Sequence, residues 1–200
     1  MFRIRFFSVC VIIALALAGA HAGDDKGFTP LFNGKDMTGL KENVFGKGKT
    51  PFSVEDGAIA VVGNPNGYFY TEKSYKNYVL RFDWKFLKDG NSGCLVHIQS
   101  TKGGGWPKCV EVQGLQRDHG NIFPLSAKGK FKIDKDAQKK AIKIGEWNTT
   151  EIVSNDGKLS SKINGIAIAS GESELKEGPI GWQSEGAPLL FKNIRIKVLE

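Results

Sequence analysis

"NSGCLVHIQSTKGGGWPKCVEVQ", Asn91 to Gln113, holds two strand-like runs on either side of a glycine-rich loop. Successive side chains of a strand point to opposite faces. One buried face is therefore expected for Cys94, Val96 and Ile98 of the first run and for Val110 and Val112 of the second. The opposite face takes His97 and Gln99, then Glu111 and Gln113, with His97 as the cross-strand neighbour of Glu111. Cys109 shares parity with Glu111, so Cys94 and Cys109 are expected as reduced thiols on opposite sides of one sheet. Only a bulge would bring them together. Two readings of Glu111 stand side by side. It is an outward strand residue, worth a few tenths to about 1 kcal/mol with its neighbour, or it is a base on a sugar-binding face. His97, Gln113 and the loop residue Trp106 speak for the second reading, and the pattern alone is even.

Working outward, the rest of the chain reads as strands and turns. "FSVEDGAIAVVG", "GYFYTE", "YVLRFDWKF", "WNTTEIVS", "KLSSKING", "IAIAS", "GPIGWQS" and "LLFKNIRIKVL" carry strand composition. Asp156-Gly157 and Asn164-Gly165 supply the positive φ angles of two-residue hairpins. "DKDAQKKAI" is the one helical candidate. Trp84 shares parity with Leu80, Phe82 and Phe86 and is expected in the core, as is Trp147. Asp83, with Arg81 and Lys85, is expected on an exposed face, and of Trp182 and Gln183 one is buried while the other faces a groove. Many short strands and 25 glycines point to one all-β domain, a two-sheet β-sandwich or jelly roll.

The first 22 residues read as a cleaved export signal: Arg3 and Arg5, an apolar core "FFSVCVIIALALAGA", then Ala20-His21-Ala22. The domain then spans 23–200, outside the cytoplasm (periplasmic or extracellular) and with no membrane attachment after cleavage. Losing two arginines takes the formal charge from +7 to +5. The lysines are scattered, without the basic face and interleaved aromatics that nucleic acid requires, so no nucleic-acid partner is expected. Nothing in the sequence addresses oligomeric state.

Familiar catalytic signatures are absent: no G-x-S-x-G, no H-E-x-x-H and no P-loop. Gly103-Gly104-Gly105 opens no helix and is a hairpin tip. No cofactor is expected and no metal site has ordinary spacing, though Asp118, His119 and Glu111 leave a single hard or borderline divalent ion open. A retaining jelly-roll glucanase carries E-x-D-x-E on one strand; the matching positions here are Cys109, Glu111 and Gln113, so only one acid is present. A second carboxylate would come from Asp83, Asp118, Glu146 or Glu185.

The succession "FTPLFNGKDMTGL", "FSVEDGAI", "NYVLRFDWKF", "GNSGCLVHI", "VEVQ", "GEWNTTEIV", "INGIAIA", "GPIGWQS" and "FKNIRIKVL" resembles the 3-keto-disaccharide hydrolase domain family (DUF1080) across nearly all of residues 23–200. The resemblance implies a concanavalin A-like jelly roll, export in bacteria, and action on glycosides oxidised at C3. By motif it carries over Asn91, Ser92 and Gly93, Glu111 and Gln113, Glu146, Trp147 and Asn148, and Gln183. Two positions depart from the pattern: His97 stands where arginine is expected, and Leu40 where tryptophan is. The expected site has Glu111 and His97 as catalytic groups, with Asn91, Gln113, Trp106, His119, Asp118 and Gln183 binding the carbohydrate. A C3 ketone acidifies the C2 hydrogen, so base-assisted elimination and hydration, or hydrolysis, suits a single good base. The rival expectation is a non-catalytic, lectin-like binding module on the same fold.

Overall fold

The computed structural model describes residues 25–200; the expected export signal lies outside the described residues. The strands are β1 (Thr29–Pro30), β2 (Leu40–Val44), β3 (Phe52–Glu55), β4 (Ala58–Val61), β5 (Gly67–Thr71), β6 (Tyr78–Phe86), β7 (Gly93–Val96) and β8 (Cys109–Gln113). They continue with β9 (Ile122–Leu125), β10 (Gly129–Ile133), β11 (Asn148–Asn155), β12 (Lys158–Ile163), β13 (Ile166–Ser173), β14 (Gly181–Ser184) and β15 (Leu189–Val198). One helix, α1 (Lys135–Ala141), interrupts them, where the sequence offered its single candidate. Asp134 caps it by accepting from the Asp136 and Ala137 amides, satisfying donors that a helix start leaves open.

All named pairings are antiparallel and form two sheets. A nine-stranded sheet runs β10-β13-β12-β11-β6-β15-β4-β3, with β1 also on β15. A six-stranded sheet runs β2-β5-β14-β7-β8-β9. The two predicted hairpin turns close β11–β12 and β12–β13: Asp156 and Gly157 have φ of 48° and 86°, Asn164 and Gly165 of 50° and 82°. Positive φ at both central positions is the two-residue turn whose twist matches its strands.

The core lies between the sheets. Leu80, Phe82, Trp84 and Phe86 of β6 meet Phe69, Cys94, Val96, Val110, Val112 and Trp182 from the smaller sheet. Trp182 stacks on Phe69 at 5.1 Å between ring centroids. Trp84 is fully buried and its indole N–H donates to Thr150 Oγ1 at 2.9 Å. Each such side chain contributes about 1.5–3 kcal/mol relative to exposure. Trp147 departs from expectation: it precedes β11 and stays half-buried at the surface, with Lys192 Nζ 3.9 Å above its ring. Cys94 and Cys109 are both free and buried. Cys94 belongs to the core and Cys109 to a separate apolar cluster on the sheet's other side, as side-chain parity requires.

Candidate active site

The outer face of the six-stranded sheet follows from its register. Tyr70 opposes Gly181, Gly181 opposes Leu95, Leu95 opposes Glu111, and Glu111 opposes Phe123. In the neighbouring row Asn43 opposes Tyr68, Tyr68 opposes Gln183, and Gly93 opposes Gln113. An isolated bridge from Asn91 to Glu185 continues the β7–β14 pairing and sets Gln183 level with Gly93. Asn91, Gly93, Glu111, Gln113, Gln183 and Glu185 therefore come to one face.

Gly93 shows why the polar groups converge. A Cβ on it would fall 2.2 Å from Gln183 Oε1 and 2.6 Å from Glu111 Oε1. The two side chains thus use the space that any larger residue would take. Glu111 is only 5% exposed and Gln183 1%. Burial in low dielectric disfavours the charged carboxylate, and the negative charge of Glu185 adds to this. Together they push the Glu111 pKa up to about 7, with the Gln183 side chain working in the opposite direction. Glu185 itself is half-buried, and burial raises its pKa too. Two oxygens in this patch, Gln183 Oε1 and Asn91 Oδ1, are buried without a hydrogen-bond partner. Gln113 Oε1 accepts from the Leu115 amide at 2.7 Å, which fixes the side chain and leaves its N–H donors for a ligand.

Beside these groups lies an aromatic wall that the sequence reading did not assemble. Tyr68, Leu95, Ile98 and Cys109 form its buried base, with Phe45, Tyr70, Trp106 and Leu125 packed on it. Trp106 meets Phe45 edge-on at 4.7 Å. Asn43 Nδ2 donates to Tyr68 Oη at 3.0 Å and to the Thr101 carbonyl at 2.9 Å, tying the glycine-rich loop to β2 and β5. The alternation of Tyr68 and Tyr70 in "GYFYT" was the available signal. Aromatic faces and oriented amides beside a buried carboxylate can hold a sugar and accept a proton from it.

Three expected members are elsewhere. His97 does not neighbour Glu111; Leu95 does. Its φ of 56° breaks the strand alternation after Val96, turning its ring inward and sending Ile98 to the outer cluster instead. His97 is fully buried, its Nε2 3.0 Å from Ser154 Oγ, and burial lowers its pKa to about 4. His119 likewise points into the core, stacked 3.8 Å from Trp84 with Nε2 3.1 Å from Thr150 Oγ1. Burial lowers its pKa to about 3. Asp118 is held at the surface by Lys135 Nζ at 2.9 Å. The ion shared by Asp118, His119 and Glu111 is thereby excluded. Among the described residues no three His, Cys, Asp or Glu side chains gather at a metal-binding distance.

A groove of about 930 Å³ crosses the outer face of the nine-stranded sheet. Its charges answer one another. Glu151 accepts from Arg81 at 2.8 Å and Lys162 at 2.9 Å, while Asp83 accepts from Thr149 at 2.7 Å and Asn193 at 2.6 Å. That groove is internally satisfied, whereas the Glu111 face holds a buried carboxylate and unpartnered oxygens, the pattern that gathers at functional sites.

Comparison with known proteins agrees with this architecture. A 3-keto-disaccharide hydrolase of Bacteroides thetaiotaomicron is 26% identical over 238 aligned positions, covering 88% of this chain and 80% of the relative. A crystal structure of a provisionally assigned glycosyl hydrolase from Parabacteroides distasonis superposes with a TM-score of 0.66 at 25% identity, covering 90% of this chain and 98% of that one. The Bacillus licheniformis β-glucanase, at 10% identity, TM-score 0.54 and coverage of 86% and 97%, shares the jelly-roll fold alone. With residues 27–197 matching its family model, the chain belongs to the 3-keto-alpha-glucoside-1,2-lyase-like domain family.

Proposed function

We propose that the protein cleaves glycosides oxidised at C3, with Glu111 as the base that removes the C2 proton. The observation that carries this reading is a nearly buried carboxylate, its pKa raised to about 7, without a cationic partner among the described residues. A base with a pKa near the working pH transfers protons most effectively. Family membership and the 3-keto-disaccharide hydrolase relative support the same substrate class. The ketone at C3 makes the C2 hydrogen acidic. Removing it allows the C1 substituent to depart, and water then adds to the unsaturated sugar. In this reading the Gln113 amide, held by the Leu115 amide, supplies the donor to the enolate oxygen, a task for oriented dipoles. Incubation with 3-keto-trehalose or 3-keto-sucrose should release free sugar. Glu111→Gln keeps the shape and loses the proton acceptor, so turnover should fall about 10²–10⁴-fold. Near-normal turnover in that variant would remove Glu111 from the mechanism. The single acid on β8 favours one other reading, a lectin-like module, which binding of the sugar by wild type without turnover would support.

We further propose that the protein acts outside the cytoplasm after export. The positive n-region, apolar core and Ala20-His21-Ala22 support this. Mass spectrometry of the exported protein should give an N-terminus at or close to Gly23, and a retained Met1 would overturn it.

A further inference from the structure

We propose that Glu185 is the second carboxylate of this site, handling the proton on the glycosidic oxygen and on the attacking water; this rests on the function proposed above. Three of the four acids left open by the sequence are accounted for elsewhere. Asp83 is hydrogen-bonded on the opposite sheet, Asp118 is paired with Lys135, and Glu146 is exposed before β11. Glu185 follows Gln183 by two residues, so strand alternation turns both to the outer face. Its bridge to Asn91 holds the backbone beside β7, two residues from the Gly93 over which Glu111 lies.

The surroundings of Glu185 leave its carboxyl, among the described residues, without an ion pair. Its carboxyl is half-buried and, among the described residues, neither it nor Glu111 pairs with a lysine or arginine. Two like charges near each other without a cation cost stability, and such costs gather at sites of proton transfer. The acceptor oxygens Asn91 Oδ1, beside Glu185, and Gln183 Oε1, beside Glu111, have no donors of their own. Sugar hydroxyls supply such donors.

The proton bookkeeping closes. The reactive form is the one in which the pair's proton has passed from Glu111 to Glu185; Glu111, then ionised, takes the C2 hydrogen as a proton, and the C2–H electron pair passes into the ketone as an enolate. Collapse of the enolate forms the C1=C2 double bond and breaks the C1–O bond; the leaving oxygen keeps that electron pair and takes the proton of Glu185. Water then bonds through its oxygen to C1, gives its proton to Glu185, and Glu111 returns its proton to C2. One water is consumed, both carboxyls are restored, and no oxidant or reductant is needed.

Glu185→Gln tests the assignment through leaving-group dependence. A 3-keto-disaccharide departs as an alkoxide that needs a proton; 4-nitrophenyl 3-keto-glucoside departs as a stable phenolate that does not. The variant should cleave the disaccharide about 10²–10⁴-fold more slowly, while a single turnover should release nitrophenolate from the aryl glycoside within about tenfold of the wild-type rate. It should also still exchange the C2 hydrogen with deuterated solvent, retained aryl activity serving as proof of a folded site. Glu111→Gln should lose all three. Equal losses on both substrates in Glu185→Gln, or no loss on either, would overturn the role of Glu185 while leaving Glu111 in place. A wild type without C2 exchange or cleavage of either substrate would overturn the function itself, and the assignment with it.

Discussion

His97 and His119 titrate against the fold. Both have pKa values depressed below the ordinary 6.5, to about 4 and about 3, because burial disfavours the imidazolium. A group of this kind contributes stability that is present above pH 6.5 and is lost as pH falls towards its folded value. Glu111 has the opposite sign over an overlapping window: its pKa is raised from 4.5 to about 7, so its contribution is present below pH 4.5 and lost as pH rises through 7. Urea unfolding of Glu111→Gln should therefore show stability falling steadily from pH 7 to pH 5, by up to about 1.4 kcal/mol per pH unit for each histidine. Replacing His119 by Gln should remove one proton from that slope, and an unchanged slope would show that His119 is not buried neutral. Neither histidine's position was legible in the sequence. Alternation assigned His97 to the wet face, and a non-glycine residue at positive φ is too uncommon to expect. Glu111 was placed correctly because its run keeps strict alternation through Gln113.

At the scale of elements, β7 is short and ends on Val96, just before the residue that breaks its period. Its first residue carries a sharper consequence. Gly93→Ala would place a methyl group against Gln183 Oε1 and Glu111 Oε1, both ends of flexible side chains rather than backbone. The sheet should tolerate this at about 1–3 kcal/mol, typical of overpacking, while the two side chains move apart. Turnover should drop at least about tenfold with the melting transition still cooperative; unchanged kcat would show that the Glu111–Gln183 arrangement is not needed. Strands and tight turns were legible because alternation and Asp-Gly or Asn-Gly dipeptides are local signals. The convergence over Gly93 was not, since it brings Gln183 of β14 onto β7 and β8 from a position some 70–90 residues further along the chain. Glu185 suffered the same fate: the sequence could only name it among four acids.

For the whole molecule, the layered all-β architecture followed from composition and turn spacing, while the order of strands did not. That order has a consequence for biosynthesis. β15, the last strand among the described residues, is not at an edge: it lies between β6 and β4 and also carries β1, with Thr29 opposite Ile196. A nascent chain still lacking residues 189–198 has no way to join the two halves of its larger sheet. Non-local pairings are reached late because the intervening loop must first be closed. The larger sheet therefore stays in two unjoined pieces until residues 189–198 take their place between β6 and β4.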